Sequence, residues 1–279
     1  MLNWIRHTMM GKHASPQRHL DLDGADNIRD IGGYATSDGK TTRWKTMLRA
    51  DNVAGLPPRS QDALIDYGVR TVIDLRRDEQ VEKMPNVFAD SMRVGYFHHD
   101  FSGDLSGNDL AASSDVTRAW IERMESLEGP AIKTAKYCLK LDTRGHVICK
   151  ILSTLSTPGI LPALYHCRGG KDRAGLVSAL VLGLAGVPDA TIAEDYALSA
   201  YYRWRGSLAD RGVREPYDDA PPESFDAEEY RLHQQNTPPE VMYGVFQYLG
   251  ERYGGVEGYV LEIGLTKGQI AALRGAIVE

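Results

Sequence analysis

The sequence predicts an α/β fold in a single domain spanning residues 1–279. Two observations carry this expectation. Short β-branched runs alternate with helical patterns, and one such run ends on a cysteine followed by a glycine loop and an apolar helix. Strands that alternate with helices imply a sheet covered on both faces.

The elements follow in order. "KTMLRA" (Lys45 to Ala50), "VRTVIDL" (Val69 to Leu75), "RVGYFHH" (Arg93 to His99) and "LPALYHC" (Leu161 to Cys167) are the expected strands. Between the first two, "PPRSQDALIDYG" begins on proline and stops at Gly68, which fits a helix. From 114 to 157 the pattern is helical, with Trp120, Ile121, Met124 and Leu127 at helical spacing and a break at Gly129-Pro130. This insertion is expected to hold two or three helices, packed on the core or placed over the site as a lid. Residues 205–240 are acidic and proline-rich, an irregular exposed excursion. "VMYGVFQYLGERYGG", which stops on Gly-Gly, and "TKGQIAALRGAIVE" return to helix, while residues 1–19 form a flexible N-terminus.

Bulk properties remove several function classes. A net charge of −6 argues against a general nucleic-acid partner, whose phosphates need clustered Lys and Arg. It leaves room for a local basic pocket around one phosphorylated ligand. The three cysteines lack the spacing of a disulfide scaffold, which favours a reducing, cytoplasmic setting and a reactive thiol. The N-terminal residues hold no signal-like apolar run, and no stretch nears the ~18 apolar residues of a membrane span. Export by an unconventional route stays compatible with both facts.

The chemistry concentrates in "YHCRGGKDRAGLVSAL", Tyr165 to Leu180. Cys167 sits at a strand's carboxyl end, and Gly169-Gly170 permits a tight loop. From Ala174 the apolar residues describe a buried helix. An open α/β sheet binds anions at such a place, strand end facing helix N-terminus. The amides of Arg168, Gly169, Gly170, Lys171, Asp172 and Arg173 can form a nest for a phosphate-sized dianion. The same amides and the helix dipole favour a thiolate. Arg173 can hold two phosphate oxygens bidentately. A thiolate beneath a phosphate cradle suits phosphoryl transfer to sulfur.

Other uses of these residues weigh less. A lone cysteine is most often a small buried hydrophobe, but the strand, the glycines, Arg173 and the apolar helix together reverse that. A nucleotide-binding Walker A loop fails, because Tyr165 stands where its first glycine belongs and Asp172 replaces its Ser or Thr. Thiol oxidoreductases and sulfurtransferases also use a strand-end cysteine, yet neither needs Arg173 at this spacing. His98 and His99 point to opposite faces of a strand and do not share an ion, so no metal and no cofactor is expected. "DLDGAD" (Asp21 to Asp26) lacks the spacing of a calcium loop. Arg49 and Arg76, at strand ends, are weaker candidates for touching substrate.

"HCRGGKDRAG" resembles the His-Cys, five residues, Arg signature of cysteine-dependent protein tyrosine phosphatases. More narrowly it resembles the His-Cys-x-x-Gly-Lys-Asp-Arg loop of atypical bacterial tyrosine/lipid phosphatases, a group with related inositol-phosphate phosphatases. "NIRDIGG" (Asn27 to Gly33), "LRAD" (Leu48 to Asp51), "VIDLRRDEQ" (Val72 to Gln80) and the C-terminal "GLTKGQIAALR" are similar to further elements of that group. The resemblance implies a phosphatase-like central sheet flanked by helices. It implies Cys167 as nucleophile, Arg173 as phosphate binder and Lys171 as added charge for ligands with several phosphates. Asp172 is the favoured proton donor, Asp74 the second candidate and Asp100 the third. Its substrates would be phosphorylated proteins, phosphotyrosine first, or phosphoinositides, with inorganic phosphate as product and inhibitor. One departure stands out: Ala174 occupies a position where the family usually has Thr or Ser. That leaves a non-catalytic phosphate-binding module as the competing class.

Overall fold

The computed structural model describes residues 18–102, 115–210 and 235–279. Five strands, β1 (Arg29–Asp30), β2 (Met47–Ala50), β3 (Thr71–Asp74), β4 (Gly95–His98) and β5 (Ala163–His166), form one sheet in the order β1-β2-β5-β3-β4. β1 runs antiparallel to β2, and the other pairings are parallel. All four expected strands form, trimmed at their ends. The sequence pattern missed β1, because two residues carry no alternation.

β5 lies at the centre, and its side chains alternate between two cores. Ala163 and Tyr165 join Ile73 and Met47 on one face, while Leu164 joins Val72 and Leu48 on the other. Burial on both faces makes these strands continuous apolar runs. The second face is covered by α1 (Pro58–Tyr67) through Leu64, together with Leu56 and Phe88. Next in the chain, the short α2 (Asp78–Lys83) follows β3.

The first face carries most of the helices. The 114–157 insertion forms α3 (Asp115–Met124), α4 (Pro130–Thr143) and α5 (Gly145–Leu155). Tyr137 and Leu141 of α4, with Ile148, Ile151, Leu152 and Leu155 of α5, are buried in the main core. These two helices are therefore a wall of the domain, not the lid that the sequence left open. α3 packs Trp120 on Cys138 and Leu139 of α4 in a satellite cluster. Then come α6 (Asp172–Leu184), apolar nearly all round and correspondingly buried, and α7 (Asp189–Asp210). The closing helices are α8 (Glu240–Tyr253), α9 (Val256–Glu262) and α10 (Lys267–Ile277). Gly254 ends α8 in the left-handed conformation, and Thr266 with Gln269 forms a capping box on α10.

Two boundaries need correction. The excursion expected over 205–240 is helical at its start, since α7 runs through Asp210; residues 211–234 lie outside the described residues. Of the N-terminal segment expected to be flexible, residues 1–17 also lie outside them, but Arg18 and His19 are fixed. Arg18 donates to Asp30 O at 2.7 Å and stands 3.9 Å from the centre of the Tyr34 ring, and His19 stacks on Tyr202 at 4.3 Å. Among the described residues no helix is long and apolar enough to cross a membrane.

Candidate active site

Parallel pairing aligns Ala50 of β2 and Asp74 of β3 with His166 of β5. Asp51, Leu75 and Cys167 therefore leave the sheet at one edge, beside one another. Cys167 is buried, 2% exposed, and the chain then loops to the N-terminus of α6 at Asp172. The loop's carbonyls are held from outside. Asn27 Nδ2 donates to Gly169 O (3.2 Å), and Arg49 Nη2 donates to Gly170 O (2.8 Å) and Lys171 O (3.2 Å). The N–H groups of Arg168, Gly169, Gly170 and Lys171 have no acceptor among the described residues. Carbonyls fixed on one side leave the amides available on the other, the arrangement that an anion nest beside the thiol requires. Gly170 has φ +63°, and a Cβ there would stand 2.7 Å from Asn27 Nδ2 and from Asp51 N, so glycine is required.

Arg173 enters the same space from the first turn of α6. Its Nη1 donates to Leu75 O (3.0 Å) and to Gln80 Oε1 (3.2 Å). Nη1 is thereby fixed, while Nε and Nη2 have no acceptor among the described residues, a geometry that suits bidentate binding of an oxyanion. Gln80 comes from α2, a residue that the sequence offered only as the tail of "VIDLRRDEQ". Asp172, beside Arg173, accepts Tyr137 OH at 2.6 Å and Lys133 Nζ at 3.0 Å, both on Oδ1. Burial pushes its carboxyl up, but Lys133, Tyr137 and Lys171 outweigh it and hold it below the ordinary value. Lys171 is half-buried; burial pulls its ammonium down, with Lys133 and Arg203 adding to that and Asp172 opposing. Arg168 is exposed.

The sequence also matches known proteins. A family model described as the tyrosine phosphatase family matches residues 20–279. The chain belongs to the tyrosine phosphatase family. It is 27% identical over 236 residues to a "Tyrosine-protein phosphatase" of Nostoc commune, covering 81% of this chain and 72% of that one. It is 24% identical over 279 residues to the "Triple specificity protein phosphatase PtpB" of Mycobacterium tuberculosis, covering 92% and 98% respectively. The chain is a protein-tyrosine phosphatase enzyme.

In this phosphatase Asp74 ends β3, as expected, with its carboxylate already engaged. The carboxylate is fully buried and accepts Arg76 Nε and Nη2 (3.0 and 2.7 Å), Asn86 Nδ2 (3.1 Å) and Tyr96 OH (3.1 Å). His166 Nε2 stands 3.4 Å away, and His166 Nδ1 is 3.3 Å from Cys167 O. Burial raises the Asp74 carboxyl, yet His166 and the Arg76 guanidinium overcome that and keep it well below the usual carboxylate range. A carboxylate so occupied is poorly suited to give up a proton; it braces His166 and, through it, the strand that ends at Cys167. Asp100 accepts Asp78 N (3.2 Å) and Ser102 N (2.8 Å), which ties down the start of α2.

Arg49 and Arg76 are buried, and their guanidinium groups pair with Asp195 and Asp74 respectively. Arg49 also braces the loop from beneath. Its Nη1 meets Asp195 Oδ2 at 2.6 Å, and Arg29 Nε meets Asp195 Oδ1 at 3.0 Å. Arg29 also donates to Ser199 Oγ (3.0 Å) and to Asn27 Oδ1. Two cations on one anion leave a net positive charge behind the loop, which favours a bound dianion. Sequence reasoning missed Asp195, Asn86, Lys133 and Tyr137. Asn27, Arg29, Arg49 and Gln80 lay within quoted motifs.

Proposed function

We propose that this phosphatase hydrolyses phosphate monoesters in two steps through a phosphocysteine, without a metal. Cys167 Sγ attacks phosphorus and the bond to the leaving oxygen breaks, while Asp172 gives that oxygen its proton. Water then attacks phosphorus, the phosphorus–sulfur bond breaks, and the Asp172 carboxylate takes the water's proton. The loop amides and Arg173 stabilise the equatorial oxygens in both steps. The nest of loop amides closing on Cys167, with the loop's carbonyls pulled outward by Asn27 and Arg49, carries this reading. Asp172 is depressed in the free protein, and a bound phosphate dianion raises it toward a proton-donating state.

Phosphotyrosine is the first substrate class and phosphoinositides the second. Lys171 in Arg173's loop and the mycobacterial relative, named a triple specificity phosphatase, support the breadth. The competing reading is a phosphate-binding module with little turnover. It is favoured by Ala174, a buried methyl where a hydroxyl would steady the departing thiolate.

The test is phosphate release from phosphotyrosine and phosphoserine peptides, phosphoinositide vesicles and inositol phosphates, in EDTA. Release from phosphotyrosine peptides that survives chelation supports the reading, and the preferred substrate names the class. Phosphate binding without release from any substrate would favour the module.

A further inference from the structure

Asp172 is held by two side chains of one helix face. Lys133 and Tyr137, four residues apart on α4, both reach Oδ1, at 3.0 and 2.6 Å. Tyr137 OH is itself 2.9 Å from Tyr196 OH of α7, and the two rings meet edge to face at 6.2 Å. Lys133 Nζ stands 5.8 Å from the centre of the Tyr196 ring and also donates to Asn236 O. Tyr137 is 2% exposed, so its hydroxyl has little freedom. Oδ2 of Asp172, by contrast, has no partner among the described residues.

We propose that Lys133 and Tyr137 are positioning residues for the proton transfer, clamping Asp172 through Oδ1 so that Oδ2 is the atom that carries and delivers the proton. This rests on Asp172 being the acid. A carboxylic acid with a free carbon–oxygen torsion would present its proton in many directions. Two donors converging on one oxygen remove that freedom and leave the other oxygen facing the leaving group. Both donors also stabilise the ionised form, so they set the pH at which the acid loses its proton; Lys171, on the neighbouring residue, acts in the same sense. A helix of the 114–157 insertion thus serves the chemistry without covering it.

The experiment compares Lys133→Met, Lys133→Arg, Tyr137→Phe and Asp172→Asn with the wild type. Each is assayed across pH on aryl phosphates whose leaving groups range from nitrophenol to phenol, with folding checked by circular dichroism. Lys133→Met is expected to move the alkaline limb of kcat/KM upward by on the order of 1 pH unit, since an opposite charge is lost. It and Tyr137→Phe are expected to slow phenyl phosphate by roughly tenfold more than nitrophenyl phosphate, the size of one lost hydrogen bond to a charged group. Lys133→Arg restores both. If Asp172→Asn selects against poor leaving groups but Lys133→Met and Tyr137→Phe move neither the limb nor that selectivity, the clamp is wrong and the acid stands. If Asp172→Asn shows no leaving-group dependence, the acid assignment fails and the clamp falls with it. Lys133 is partly exposed, so its variants keep the test decisive even if Tyr137→Phe unfolds.

Discussion

Ala174 is fully buried one residue after Arg173, and a methyl there has no hydrogen bond to offer a thiolate. In the two-step scheme the cost falls on the second step, where sulfur leaves phosphorus. Ala174→Ser is therefore expected to raise kcat by about tenfold, the worth of one hydrogen bond to a charged group. The first-turnover burst of leaving group should shrink as the second step ceases to limit. Stopped-flow measurement of burst and steady state checks this. An unchanged kcat in a folded variant would show that release of sulfur is not the slow step.

At the level of elements, α7 is joined to the sheet by a buried charge cluster. Asp195 accepts Arg29 of β1, Arg49 of β2 and Tyr34 OH, the last at 2.9 Å. Burial pushes its carboxyl up, and the two guanidinium groups more than reverse this. Asp195→Asn leaves two buried cations without their anion, so unfolding in urea should show a loss of about 3–5 kcal/mol. Arg49 also loses its fixed position under Gly170 O and Lys171 O, so kcat/KM should fall further than stability alone explains. A loss below ~1 kcal/mol would mean that the cluster holds little of the fold.

That cluster also shows what the sequence could convey. β3 and β5 are buried on both faces, so their apolar runs stood out, and the Cys167-to-Arg173 spacing is local and therefore legible. Asp195 lies far along the chain from both arginines, and nothing in its surroundings points back to them. α7 gave no helical stripe either, since it buries Ile192 and Tyr196 in the main core and stacks Tyr202 on His19. The same distance hid Lys133 and Tyr137, which meet Asp172 only once the fold brings α4 to the start of α6. The surroundings of Asp74, the second candidate acid, were hidden in the same way: its place at a strand end near the loop is legible, but Arg76, Asn86 and Tyr96 on its oxygens are not.

For the molecule as a whole, stability should depend on pH through His19. The ring is buried against Tyr202, with Nε2 2.8 Å from Asp26 O, and burial pulls it down to about 4, assisted by Arg29 and Arg205. Below pH ~6.5 the unfolded chain takes up a proton that the folded chain refuses, so stability falls until about pH 4, where the folded ring protonates as well. The full effect is about 3 kcal/mol. Asp195 and Asp74, both depressed, add a loss at lower pH as they protonate; Asp30 and Asp51, raised by burial, act in the opposite sense. His19→Gln isolates the histidine: its stability curve should be flatter than wild type between pH 6.5 and 4. Parallel curves would contradict the assignment.

The central claim is a covalent bond between phosphorus and Cys167 Sγ. Acid quenching within the first turnovers on a radiolabelled phosphotyrosine peptide, followed by peptide mapping, tests it most directly. The account predicts label on the Cys167 peptide, and neither label nor phosphate release in Cys167→Ser. Phosphate release by the wild type that persists in Cys167→Ser would contradict it.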